Sequence, residues 1–145
     1  MNAPLDPHFA SRVRASFDRQ KAMALIGAAL TVVEPGQVEI ALPYRDDLTQ
    51  QKGYIHGGIL GMIADTACGY AAFSLMPAGC SLVTVEYKIN ILAPARRSLV
   101  ARGHVVKPGR TLTIARAEVY ADDGSQVAIM QQTLMMLAGT PDQPE

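Results

Sequence analysis

Hydrophobic and polar positions divide this chain into one unusual helix and a set of strands. The cleanest pattern is "LVTVEYKINIL", where Val83, Val85, Tyr87, Ile89 and Ile91 alternate with Thr84, Glu86, Lys88 and Asn90. Period two predicts a half-buried strand with the apolar set on one face. Pro94 ends it. Three more strands are expected: Ser98 to Val106, closed by the turn "KPGR"; Thr111 to Tyr120, closed by "DDGS"; and Gln126 to Leu137. Ahead of these, Val38, Ile40 and Leu42 alternate after the turn "EPGQ", and a weaker strand is expected around Ala28 to Val33. Phe9 to Ala24, about residues 8–25, reads as a helix that buries Phe9, Val13 and Phe17, then Met23 with Ala24. Residues 139–145, "GTPDQPE", read as a frayed tail.

Between these strands lies "QKGYIHGGILGMIADTACGYAAFSLM", Gln51 to Met76, almost free of ionisable groups after His56. Ile59, Met62, Ile63, Thr66, Ala67, Tyr70, Phe73 and Ser74 fall at helical spacing. The other side carries Gly61, Asp65, Cys68, Gly69 and Ala72, and is small rather than charged. A helix with no polar face is buried all round. A small-residue face admits another backbone, or a narrow ligand, at close range. Such a helix needs a curved sheet to wrap it. The pattern therefore predicts an α+β fold, with one long helix, one or two strands before it and a four-strand antiparallel meander after it.

Composition narrows the function classes. The 145 residues suit one domain, and 49% apolar content supplies a core. Lys plus Arg equals Asp plus Glu at 13 each, so net charge makes no case for nucleic acid or an anionic membrane as partner. Cys68 and Cys80 have neither metal nor redox spacing, and no ligand cluster calls for a metal or another cofactor. The start, "MNAPLDPHFASRVR", lacks the basic and apolar blocks of a secretion signal, so a cytoplasmic protein with reduced thiols is expected. Ile55 to Met76 is long enough to span a bilayer, but a central carboxylate and four glycines argue against a membrane segment.

The chemistry concentrates where the helix begins. The first backbone N–H groups of a helix lack intrahelical partners and carry the positive end of its dipole. His56, Gly57 and Gly58 stand there, and glycine lets a ligand approach the backbone. That suits an oxygen that becomes negative during reaction. Asp65 follows Gly57 by eight residues, roughly 12 Å along the axis. One chain cannot bring both to one carbonyl. If they act together, two antiparallel helices from two subunits must lie side by side.

The pattern Q-x-x-G-x-x-H-G-G from Gln50 to Gly58, followed by "ADTA" at Ala64 to Ala67, resembles the hotdog-fold acyl-CoA thioesterases, in particular the phenylacetate-degradation (PaaI-like) group. The resemblance runs from about Leu48 to Leu137 and takes in "VTVEYKINILAPA" and "VVKPGRTLTIARAEVY". It implies a long central helix wrapped by a curved antiparallel sheet of five to six strands. It implies a homodimer with joined sheets, often paired again into a homotetramer. It implies Asp65 as general base or nucleophile on a coenzyme A thioester, and the Gly57 amide of the other subunit as the group that polarises the carbonyl. Gln50 sits where such families carry Asn or Gln near the carbonyl or the attacking water, and Thr84 where some relatives hold that water.

Each candidate also has a plainer role. His56 is a catalytic candidate, yet the chemistry needs no second base, and helix capping is its simpler role. Gly57 and Gly58, the latter a substrate-binding candidate, would suit a tight turn. Gln50 would serve as a solvated loop amide, and Thr84 as a strand residue. Lys107 and Arg110 flank a Pro-Gly turn, and they compete with Arg96 and Arg97 for the phosphates of coenzyme A. Cys68 and Cys80 read as core residues. An acyl-CoA thioesterase acting on an aryl or medium-chain acyl group is the expectation. A non-catalytic acyl-CoA binding or sensing module is the rival from another class. An enoyl-CoA hydratase on the same fold is a second rival, disfavoured because His56 lies nine residues from Asp65.

Overall fold

The computed structural model describes residues 3–144. The expected N-terminal helix is two helices, α1 (Phe9–Asp18) and α2 (Lys21–Ile26). Met23 follows Phe17 by six residues, which is roughly 240° around a continuous helix. A single rod would turn them to different faces. Gln20, extended at φ −76° and ψ 98°, takes up the change, and Val13, Phe17, Met23 and Ile26 all reach the core. Gly27 ends α2 in the left-handed region at φ 77°, where glycine carries no steric penalty.

Strands β1 (Ala29–Glu34) and β2 (Gln37–Leu42) form a hairpin, and a polar loop then leads to the long helix α3 (Gly57–Phe73). Four strands follow: β3 (Ser81–Ile91), β4 (Leu99–Lys107), β5 (Leu112–Ala121) and β6 (Gln126–Leu137). All pairings are antiparallel, and the single six-stranded sheet has the order β1-β2-β4-β5-β6-β3. The last four strands are thus not a simple meander. The turns at "KPGR" and "DDGS" do make neighbours of β4, β5 and β6, but β3 pairs with β6 at the edge of the sheet. The connection of residues 92–98, with Pro94, is no hairpin, and it carries the chain across to β4.

The sheet wraps α3. Leu60, Ile63, Ala64, Ala67, Cys68 and Ala71 are at most 1% exposed. Opposite them the sheet is equally small, with Ala101, Gly103, Ala115 and Ala117 facing inward. A Cβ on Gly103 would stand 2.4 Å from the carbonyl carbon and oxygen of Ala67. Within the small face that approach falls at Cys68, whereas Gly61 and Gly69 look onto the Tyr87 and Leu82 side chains. Gly61, Cys68 and Ala72 are buried, and of the small set only Asp65 and Gly69 remain half-exposed. Gly58, Met62, Asp65 and Gly69, spaced four, three and four apart, trace the strip of helix that the chain leaves partly open.

The far end of α3 is tied down by α1. The Arg12 guanidinium donates to the carbonyls of Phe73, Met76 and Pro77, lies over the Phe73 ring, and pairs with Asp6 at 3.1 Å. The tail does not fray as expected along its whole length. Asp142 accepts from Ser16 and pairs with Arg19, while Glu145 lies outside the described residues. No helix among the described residues is long and apolar enough to cross a membrane.

Candidate active site

The open strip of α3 faces a cavity of about 350 Å³. Met23, Met62, Gly69, Phe73 and Leu82 give it apolar walls, and Asp65 and Thr84 stand in it. Ser16, Gln20, Thr66, Tyr70 and Asp142 supply its other polar groups; Ser16 and Gln20 both bond the Tyr70 hydroxyl at 3.0 Å. Burial pushes the Tyr70 phenol up from its ordinary value.

A bulge in β3 brings Thr84 to Asp65. The register with β6 runs Thr84 to Leu134 and then Glu86 to Thr133, so Val85 has no partner. One extra residue reverses which face each later side chain takes. Before the bulge, Leu82 and Thr84 line the cavity; after it, Ile89 packs on the core, Tyr87 reaches Gly61, and Ile91 reaches Gly57. The expected single apolar face of Val83, Val85, Tyr87, Ile89 and Ile91 is thus split. Val83 and Val85 stay exposed.

The Thr84 hydroxyl donates to Asp65 Oδ1 at 2.8 Å. A residue absent from the sequence reading joins it. Gln132, on β6 and 1% exposed, donates from Nε2 to Asp65 Oδ1 and, at 2.7 Å, to Thr84 Oγ1. The sequence did carry a signal for it. Ala128, Met130, Gln132 and Leu134 are the inward positions of a strand, and an amide among apolar neighbours on that face calls for a partner. Asp65 itself is half-buried, with one oxygen fixed and Oδ2 without a donor among the described residues.

The other candidates lie elsewhere. Gln50, His56, Gly57 and Gly58 line no part of the Asp65 cavity. His56 is the N-cap of α3, and its Nδ1 accepts the Gly58 N–H at 2.8 Å. That bond uses the imidazole for capping and takes the Gly58 N–H that a substrate would need, as the simpler reading of His56 anticipated. Gly57 keeps an N–H with no acceptor among the described residues. The Gln50 side chain accepts from the Lys52 N–H, within its own loop.

Among the cations, Arg97 is engaged by Asp122 and Asp123, whereas Arg96 stacks on Tyr54 and donates to the Lys52 carbonyl. Lys107 and Arg110 are exposed on the β4–β5 turn and have no ion pair among the described residues. Burial, and then the charges of Asp65 and Glu118, push the Cys68 thiol far up, which makes it an inert core residue.

The thioesterase superfamily model matches residues 52–128. The crystal structure of a thioesterase family protein from Silicibacter pomeroyi is 50% identical, with a TM-score of 0.88 over 90% of this chain and 99% of that one. The Escherichia coli PaaI protein of the phenylacetic acid degradation operon is 22% identical, with a TM-score of 0.86 over 94% of this chain and 99% of its own. That second likeness speaks for the fold. A Halobacterium salinarum protein provisionally named an esterase is 29% identical over 115 residues, 76% of each chain. The chain belongs to the thioesterase superfamily and is a thioester hydrolase of hotdog fold.

Proposed function

We propose that the protein hydrolyses an acyl-CoA thioester, with Asp65 as general base or nucleophile in a site completed by the Gly57 amide of a second copy. The observation that carries this reading is the Asp65 carboxylate itself. One oxygen is bonded by Thr84 and Gln132, and the other has no donor among the described residues, in a cavity lined by polar and apolar groups alike. As a base, Asp65 takes a proton from water while the water oxygen attacks the thioester carbon. The C–S bond then breaks, and the proton passes to the coenzyme A sulfur. As a nucleophile, Asp65 forms a mixed anhydride with release of the thiol, and water cleaves it. In either course a free N–H at the start of α3 steadies the oxyanion.

The second copy is supported by the edge of the sheet. Among the described residues β3 pairs on one side only, with β6. Val83, Val85, Tyr87 and Ile91 are 42–55% exposed along it. An open apolar edge strand of this length is normally covered. Pairing two such edges about a two-fold axis sets the two α3 helices antiparallel. Met62, Tyr70 and Phe73 line the cavity, which suits an aryl or medium-length acyl group. Lys107 and Arg110, without an acidic partner among the described residues, are the proposed phosphate contacts. Release of free thiol from a panel of acyl-CoAs tests the reading. Turnover of aryl and medium-chain esters is expected, and turnover of long saturated chains alone would overturn the acyl assignment.

A further inference from the structure

Gln132 carries a cost that packing alone does not explain. Its side chain is buried on the inner face of β6, between Met130 and Leu134 in the inward series. Both hydrogens of Nε2 are used, one on Asp65 Oδ1 and one on Thr84 Oγ1. Its Oε1 is buried and has no donor among the described residues. A buried amide oxygen without a partner is destabilising, and an apolar side chain of the same size would avoid the loss. Methionine, already the neighbour at position 130, would fill the same space. An unsatisfied buried group in a folded protein needs a reason.

The reason lies in how Asp65 is held. Thr84 and Gln132 both donate to Oδ1. They are also bonded to each other, so neither can turn away without losing two bonds. A carboxylate pinned through one oxygen cannot exchange the roles of its two oxygens. We infer that Gln132 is a positioning residue for Asp65: together with Thr84 it anchors Oδ1 and so presents Oδ2 to the thioester or to the attacking water. The inference rests on Asp65 acting as base or nucleophile. It adds a residue from the last strand, 67 positions away in sequence. That residue lies beyond the 52–128 segment that matches the family model.

The test uses the full-length protein and the acyl-CoA it turns over fastest. Gln132→Met removes both N–H donors and the orphan oxygen together. kcat is expected to fall about tenfold or more with KM within about twofold, since the contact serves the reacting group rather than substrate binding. The thermal midpoint is expected to hold or rise. A merely structural amide would give the opposite pair, with stability lost and kcat of the remaining folded protein kept. Thr84→Val should lower kcat in the same way, and the double variant no further than the more damaged single one, because both act through one oxygen. Wild-type kcat in Gln132→Met, or losses that multiply in the double variant, would overturn the inference. If Gln132→Met does not fold, Gln132→Glu keeps the shape and sets a second carboxyl beside Asp65. The same loss of kcat is expected, and wild-type kcat overturns the inference. Asp65→Asn is assayed beside them. Full turnover there removes the Asp65 reading and Gln132 with it. An inactive Asp65→Asn beside a fully active Gln132→Met removes only the role of Gln132.

Discussion

At the scale of the residue, the site depends on an asymmetry in one carboxylate. Asp65 Oδ1 is spent on Thr84 and Gln132, and Oδ2 has no donor among the described residues. Asp65→Asn keeps the size of the side chain and replaces the charge with an amide. The fall expected in kcat is about a hundredfold or more, or roughly 2.7 kcal/mol of transition-state stabilisation. The protein should remain folded, because Asp65 sits on the half-open strip and not in the core. Thiol release and circular dichroism on the same preparation check both parts, and near-normal turnover in a folded variant removes the mechanism. Asp65 was legible as a lone acid in an apolar run. Gln132 is less legible, because one amide in a strand is an ordinary feature until the strand's inward face is known.

At the scale of the element, the decisive feature is how closely the sheet lies on α3. The long helix, its start at His56-Gly57 and most strand limits could be read from period and turn residues alone. Strand order and the bulge at Val85 could not. Order depends on where a seven-residue connection carries the chain, and the bulge leaves the alternation of residue types intact while reversing the faces. The small residues were legible, but not which small residue meets which backbone. Gly103 is the case that governs α3, with space for no Cβ against Ala67. Gly103→Ala is expected to push β4 and α3 apart and to cost about 2 kcal/mol or more, lowering Tm by roughly 5–10 °C. Asp65 lies two residues before Ala67, so kcat should fall as well. A scanning calorimetry trace that matches wild type would mean the helix can shift at no cost. The β4–β5 turn belongs to the same scale. Changing Lys107 and Arg110 together to Ala should raise KM for a CoA ester several-fold with little change in kcat, because a phosphate contact is made equally in ground and transition states. An unchanged KM would move that role to Arg96, since Arg97 is already engaged by two aspartates.

At the scale of the whole molecule, the proposed reading divides the site between two chains. Asp65 and Thr84 share a cavity from which Gly57 is absent, and Gly57 lies eight residues back along the same helix. The rise of a helix puts them roughly 12 Å apart, so a thioester carbonyl cannot touch both within one protomer. Two protomers joined along β3 would pair the Asp65 of each with the Gly57 of the other. Complementation between two inactive variants tests this. Asp65→Asn disables one half. Gly57→Pro disables the other by deleting the N–H, and proline is tolerated at the first position of a helix. The residue before it already suits proline, since His56 is extended at φ −58° and ψ 135°. The one atom a new Cβ would meet is the mobile end of Ile91. Each variant alone should be inactive. After subunit exchange, random pairing makes half the dimers mixed, and each mixed dimer has one site with both defects and one with neither. About a quarter of wild-type activity should then return, by the two-fold symmetry of the assembly. Mass spectrometry that shows mixed dimers with no return of activity would mean that each site is built within one chain, and the shared site would have to be abandoned.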